Sequence, residues 1–232
     1  MVTPLLIPAG NPSEWTGPTG NNTWLLPGPE PSLVDAGVGR QEHLDAVANA
    51  LGHLPLARVL ITHSHSDHIG GLPELRARWP ALRVCPPGDG DPRLEIIPTP
   101  GHAPDHVCFF DAASGDLYCG DLARIGGTVV IPATKGGSLR EYLSSLCRVR
   151  DLRPRRMLPG HGPIITDPIA LIDAYLAHRA ERERQIVAAM EGGAGTPEEI
   201  ASHVYPGLPA SLRAAAIDTV EAHLQKLRED AE

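Results

Sequence analysis

Val59-Leu60-Ile61-Thr62-His63-Ser64-His65-Ser66-Asp67-His68-Ile69-Gly70-Gly71 decides how this chain is read. A short apolar, β-branched run leads directly into four side chains able to bind a cation, and two glycines close the segment. In a loop at a strand's end alternate residues turn toward a common point, so His63 and His65 are expected to face one cation while Asp67 and His68 reach a second. Imidazole with carboxylate suits zinc, with iron or manganese as alternatives. A hydrophobic strand feeding such a cluster has no packing use for it, which favours ligands over solvated loop histidines.

Working outward, three later segments supply what a two-metal site still lacks. Thr99-Pro100-Gly101-His102 follows the apolar Ile96-Ile97, Cys119-Gly120-Asp121 ends the run Leu117–Cys119, and Pro159-Gly160-His161-Gly162-Pro163 follows Met157-Leu158. Each sits at the C-terminal edge of an apolar segment, with glycine allowing close backbone approach. Any one alone would be a weak signal; in this order behind the first motif they form a pattern.

The remaining chain alternates strand and helix. Strands are predicted at 23–26, 32–34, 58–61, 82–85, 94–97, 106–110 and 116–119, and helices at 41–51, 73–79 and 139–150, which together indicate layered α/β. Asp167 as cap and Pro168 at the first turn open a long helix to about Met190, where Gly192-Gly193 stop it. Thr196-Pro197-Glu198-Glu199 opens another short helix, and a final amphipathic helix carries Ile217, Val220, Leu224 and Leu227 at helical spacing. The expected division is a core over residues 1–166 and a helical appendage over 167–232. The apolar stripe of the last helix is expected to cover the catalytic surface at the active-site mouth, or to meet its counterpart in a homodimer.

Composition narrows the class. The 42% hydrophobic and 21% charged residues are those of an ordinary globular chain, and no apolar run is long enough to span a bilayer. The first ten residues have no positive charge ahead of Leu5-Leu6-Ile7, so a secretory signal finds no support and a cytoplasmic location is expected. Cys85, Cys108, Cys119 and Cys147 show no C-x-x-C spacing and are expected to be reduced and buried. A formal charge of −8 disfavours loose binding to nucleic acid.

His-x-His-x-Asp-His followed in order by Gly-His, Gly-Asp and Gly-His resembles the metallo-β-lactamase superfamily throughout residues 20–165. The resemblance implies that His63, His65 and His102 hold the first metal, that Asp67, His68 and His161 hold the second, and that Asp121 bridges them. It also implies a four-layer αβ/βα sandwich with the site at one edge between its two sheets. Asn11-Pro12, Thr16, Asn22-Thr23-Trp24-Leu25 and Val34-Asp35-Ala36-Gly37 are similar to the opening of the lactamase-like endoribonuclease subgroup, which adds a C-terminal winged-helix-like region. His178-Arg179, Arg182, Gln185-Ile186 and Ala222-His223-Leu224 with Lys226-Leu227 resemble the same subgroup. The chain departs from it at the end: it stops at Glu232 where wing strands normally follow, so the nucleic-acid-binding part is expected to be truncated. Residues 170–232 also carry eleven acids against six bases, the wrong balance for gripping phosphates.

These readings lead to a binuclear hydrolase acting on an ester, thioester, lactone or related acyl bond through a metal-bridging hydroxide, with Asp67 orienting the water and shuttling its proton. A small-molecule acyl substrate is favoured over RNA. An endoribonuclease is the alternative, followed by a mononuclear-iron persulfide dioxygenase and a non-catalytic binding module. His106 is read as a supporting residue or a plain packing residue rather than a ligand. Asp35 is read either as a partner for a ligand histidine's outer N–H or as a turn former. Lys135 is a solvated loop lysine unless it binds an anion, and the basic run Arg148 to Arg156 is a solvated face unless it meets a phosphate.

Overall fold

Successive side chains of a strand point to opposite faces. Trp24-Leu25-Leu26, Leu33-Val34 and Val59-Leu60 are apolar at every position, so the sheet they build needs cover on both sides. The computed structural model describes residues 3–14 and 16–231 and shows how this cover is provided. Strands β1 (Leu5–Pro8), β2 (Asn22–Leu26), β3 (Ser32–Val34), β4 (Arg58–Leu60) and β5 (Arg83–Cys85) form one sheet in that order, antiparallel from β1 to β3 and parallel from β3 to β5. Leu25, Leu33 and Val59 turn to one side, against Leu44, Val47 and Leu51 of helix α1 (Gln41–Leu51) and Leu75 of helix α3 (Leu72–Arg78). Trp24, Leu26, Val34 and Leu60 turn to the other side and meet a second sheet.

That second sheet runs β6 (Glu95–Pro98), β7 (Val107–Asp111), β8 (Asp116–Gly120), β9 (Arg156–Pro159). Its inner face contributes Val107, Phe109, Tyr118 and Leu158 to the core between the sheets. Cys108, Leu117, Cys119 and Met157 face outward beneath helices α4 (Leu139–Leu152) and α5 (Pro168–Glu191), which bring Tyr142, Leu146, Val149, Ile172 and Tyr175. The layers are therefore helix, sheet, sheet, helix, the four-layer sandwich that the resemblance implies. The sequence reading does not name β1, whose Leu5 and Leu6 are exposed and leave little pattern. It treats β9 only as an apolar segment.

Helix α5 is longer than the sheet it covers. Asp167 caps it by accepting the Ala170 N–H at 3.1 Å, and its far half carries Ile186 beyond the first core. There Ile186 joins Ile200 and Ala201 of α6 (Pro197–Val204) and Ala216, Val220 and Leu224 of α7 (Arg213–Ala231) in a separate small core, with Ile217 and Leu227 packed against it. Thr196 and Glu199 form a complete capping box at the start of α6. The stripe of α7 is thus covered by α5 and α6 rather than by the catalytic surface. The reason is that α5 offers a closer apolar face. On the opposite side of α7, Ala222 belongs to the first core, and Arg140 of α4 pairs with Glu229 and Asp230.

The basic run before β9 also has structural partners. Arg155 and Arg156 both bond the buried carboxylate of Asp116, Arg150 pairs with Asp173, and Arg148 donates to the Pro98 carbonyl. Lys135 is exposed on a 3-10 turn, Ala133–Lys135.

Candidate metal centre

Each of the seven side chains singled out in the sequence lies just beyond the end of a strand: His63 to His68 after β4, His102 after β6, Asp121 after β8 and His161 after β9. The structure brings all seven together. His63 Nε2 and His102 Nε2 lie 3.0 and 2.9 Å from His65 Nδ1. His68 Nε2 is 3.4 Å from Asp121 Oδ1 and 3.6 Å from Asp67 Oδ2. His161 Nε2 is 3.3 and 3.4 Å from the same two oxygens. The segment that reads as a loop in sequence contains one helical turn, α2 (Ser66–Ile69), with His65 at its N-cap.

Local irregularities aim these side chains. Between β8 and β9 the register slips, Tyr118 facing Leu158 while Gly120 faces Pro159, so Cys119 is an inserted residue. Such a bulge bends a strand end, here the one carrying Asp121. Gly101 has φ of 136°, and a Cβ there would strike the backbone of Tyr142 on α4. Gly101→Ala is therefore expected to destabilise the protein by about 2–4 kcal/mol and to displace His102. Chemical denaturation combined with metal content checks this; a stable variant with normal metal content would contradict it. At Gly160 a Cβ would lie 2.7 Å from Asp121 Oδ1 and 2.8 Å from His68 Cε1, so no larger residue leaves the two ligands where they are.

The outer nitrogens of His63, His68 and His102 are held by protein acceptors, which fixes ring orientation and tautomer. His68 Nδ1 donates to Asp35 Oδ2 at 2.8 Å, and His102 Nδ1 donates to the Val130 carbonyl at 2.7 Å. His63 Nδ1 lies 3.0 Å from Thr62 Oγ1, which itself bonds Asp35. Asp35 thus plays the orienting role, from a left-handed backbone with φ of 63°. His106 is buried and is not among the converging groups. Its Nε2 accepts the Asp121 N–H at 3.1 Å and its Nδ1 bonds Thr99 Oγ1 at 2.8 Å. Burial, reinforced by neighbouring His102, pushes its pKa down to about 3.

One orienting residue escapes the sequence reading. Asn21 Nδ2 donates to Asp67 Oδ2 at 2.9 Å, and the Asn21 amide is itself locked by Asn11, which bonds its side chain at 2.7 Å and its backbone N–H at 2.9 Å. Thr16 in turn bonds the Asn11 carbonyl at 2.7 Å. Asn11 and Thr16 are visible in sequence as part of the resemblance, but Asn21 stands one residue before the Asn22-Thr23-Trp24-Leu25 segment and outside it. Asn22 and Trp24 hold the His161 loop by donating to the Pro159 carbonyl at 3.0 and 3.1 Å.

The donor set fits a pair of divalent cations. Burial followed by the neighbouring His68 pulls His63 well below its ordinary value, so that ring offers a lone pair. Asp121 is held well below the carboxylate range: burial opposes its charge, and His68 and His161 outweigh it. Its buried Oδ1 makes no hydrogen bond although two imidazole nitrogens lie within 3.4 Å. A buried, unsatisfied carboxylate oxygen costs several kcal/mol unless a cation meets it. Three sets of these groups converge closely enough to share an ion: His63, His65 and His102; His63, His68 and Asp121; Asp67, His68 and His161.

Protonation follows from the same charges. Burial opposes a charge on His161, but Asp121 and then Asp67 raise it to about 9. A raised folded-state histidine stabilises the metal-free protein fully below its unfolded value of 6.5, and this contribution is lost as pH rises through about 9. Cation affinity moves the other way, because the His161 proton must leave before a metal binds. Chelator-treated protein is expected to lose melting temperature across this window while zinc affinity increases; parallel thermal and zinc titrations check both directions.

A cavity of about 540 Å³ opens on the cluster, lined by His65, Asp67, His102, Asp121 and His161 at the metal end. Val129 and Val130 continue the wall, and the C-terminal helices complete it with Tyr205, Leu208, Leu212, Ala215 and Ala216. Arg124, His178 and Arg182 also line it; Lys135 does not.

Comparison with known proteins places the chain in a family. Residues 16–92 and 87–161 match the family model of the Metallo-beta-lactamase superfamily, and residues 196–231 match the beta-lactamase associated winged helix domain. A beta-lactamase-like protein 2 homolog from Caenorhabditis elegans is 31% identical over 95% of this chain and 82% of its own length. An atrochrysone carboxyl ACP thioesterase from Aspergillus chevalieri is 29% identical over 94% of this chain and 78% of its own. The crystal structure of a metallo-beta-lactamase family protein from Thermus thermophilus superposes with a TM-score of 0.78 at 24% identity, covering 98% of this chain and 94% of that one.

Proposed function

Because the chain belongs to the metallo-β-lactamase superfamily and carries its associated winged-helix domain, we propose that it is a binuclear metal-dependent hydrolase of acyl bonds, with thioesters first among them. The observation that carries this reading is the buried, unbonded Asp121 oxygen within 3.4 Å of both His68 and His161, at the floor of a largely apolar cavity. His63, His65 and His102 would hold one cation, Asp67, His68 and His161 the other, and Asp121 would bridge them. Zinc suits this set best, with iron or manganese as alternatives. Bound there, two divalent cations lower the pKa of water toward neutrality and polarise a carbonyl.

The chain's own groups do the rest. Asp67, oriented by Asn21, is placed to hold the attacking water and take its proton. Val129, Leu208, Leu212 and Ala216 exclude bulk water from the acyl group, which strengthens the electrostatics at the cluster. The thioesterase name of one relative supports the acyl reading. We place the catalytic body in residues 1–166 and the substrate-shaping unit in 167–232. No helix among the described residues is long and apolar enough to cross a membrane. All four cysteines are unpaired, which supports a reducing compartment such as the cytoplasm.

Purified protein is expected to hold close to two transition-metal equivalents and to hydrolyse members of a panel of thioesters, esters and lactones, with chelation abolishing turnover. Cleavage of an RNA oligonucleotide with no acyl hydrolysis would replace this reading by the endoribonuclease. Single iron occupancy with oxygen uptake on a persulfide would replace it by the dioxygenase.

A further inference from the structure

Two guanidinium groups of α5 have no counter-ion among the described residues. Arg179 is 2% exposed and Arg182 is half-buried, and among the described residues no carboxylate lies within ion-pair distance of either. The acids beside them in sequence are engaged elsewhere: Glu181 pairs with Arg184, and Glu183 with Lys226. The partners that Arg179 and Arg182 do have are neutral. Arg179 donates to the Val129 carbonyl and lies 5.6 Å over the ring of Tyr142. Arg182 stacks 4.1 Å over Tyr205 and donates to Gln185 Oε1 at 2.8 Å and the Val204 carbonyl at 3.0 Å. These contacts fix the planes of the guanidiniums without neutralising them, and Nε of each is buried with no partner.

Removing a cation from water is costly unless an opposite charge meets it. The local field is positive: burial and then Arg179 and Arg182 hold His178 below its usual value, and His223 is pushed down to about 3 by burial, then Arg179 and Lys226. Glu183 lies 3.5 Å from His223 Nδ1, but Lys226 engages it at 3.0 Å. Arg182 and His178 line the same cavity as the metal cluster, from the side built by the C-terminal helices, and the carboxylates Asp67 and Asp121 stand at the metal end. Val129, Leu208, Leu212 and Ala216 give the wall between them its apolar part, while Glu14, Thr16 and Arg124 line the cavity as well.

We propose, resting on the acyl-hydrolase reading above, that the cavity takes an acyl compound with an apolar body and an anionic group remote from the bond that is cleaved, and that Arg182 receives that anion. The anion is either a carboxylate at the far end of the acyl chain or a phosphate on the leaving thiol's arm. Arg182 is the specificity-determining residue because it alone of the two guanidiniums faces the cavity; Arg179 behind it adds to the field and anchors the Val129 wall.

The test uses full-length, metal-loaded protein and four thioesters: hexanoyl and 5-carboxypentanoyl groups, each on N-acetylcysteamine, which has no phosphate, and on coenzyme A. Wild type is expected to prefer one anionic form over its neutral match by at least about tenfold in kcat/KM. Arg182→Gln brings that ratio toward one, and Arg182→Lys restores part of it. A preference for the carboxypentanoyl group on both carriers assigns the anion to the acyl side; a preference for coenzyme A with either acyl group assigns it to the leaving arm. Non-hydrolysable thioether analogues of the four compounds, measured by calorimetry, are expected to repeat the ranking without turnover. Hydrolysis with no charge preference, or a preference that Arg182→Gln leaves intact, overturns the proposal while sparing the acyl-hydrolase reading. Arg182-dependent binding of anionic analogues with no hydrolysis of any thioester would sink the reading and keep the anion site.

Discussion

Asp121→Ala is expected to strip both cations from the centre and to lower hydrolysis by a thousandfold or more. The carboxylate is the one group that His68 and His161 both approach, within 3.4 Å, and His102 lies 3.6 Å from its other oxygen. Losing it removes a ligand from each proposed site. Lewis-acid stabilisation worth several kcal/mol goes with it, which at about 1.4 kcal/mol per decade is at least three decades of rate. His106→Ala is the informative partner. Its ring touches the Asp121 backbone N–H and Thr99, not the converging donor atoms, so metal affinity is expected to fall about 10- to 100-fold, as for other orienting residues. Elemental analysis and zinc titration of both variants check this. Equal loss of both metals in the two variants would mean that His106 is itself a ligand.

The second large effect concerns the C-terminal unit. Removing residues 194–232 uncovers Ile186 on α5 and withdraws Tyr205, Leu208, Leu212, Ala215 and Ala216 from the cavity wall. Lost apolar contact of about 3 kcal/mol or more is expected to lower kcat/KM on the order of a hundredfold and to promote aggregation. Metal content should stay near that of the full chain, since all seven proposed ligands are retained. A truncated protein with unchanged kcat/KM would show that the wall formed by these helices does not meet the substrate. RNA binding by the full chain that weakens steeply with salt and vanishes on truncation would instead favour the endoribonuclease.

Much of the candidate site is legible in sequence because metal chemistry restricts residue type. Only histidine, cysteine and acids serve as ligands here, so His63, His65, Asp67, His68, His102, Asp121 and His161 stand out against their apolar surroundings. The supports are less visible because many residue types can donate a hydrogen bond. Asn21 and Thr62 look like ordinary polar residues until Asp67 and Asp35 are placed beside them. Asp35 can be read from sequence either as a turn former or as a histidine partner, and only the approach of His68 to 2.8 Å decides between these.

The sequence by itself determined the strands and helices other than β1, α2 and β9, the seven converging side chains and the caps at Asp167 and Thr196, because periodicity, ligand chemistry and capping act over a few neighbouring residues. Tertiary structure alone decided what covers α7, how the 540 Å³ cavity is walled and which arginines lack a counter-ion. Those properties depend on contacts between residues far apart in the chain. The apolar spacing of Val220 and Leu224 says that something must bury them, but only packing shows that Ile186 and Ile200 do so. Likewise Arg182 and Arg184 are equivalent letters in α5: Arg184 pairs with Glu181 one turn away in the same helix, and it is the helix's orientation that turns Arg182 to the cavity.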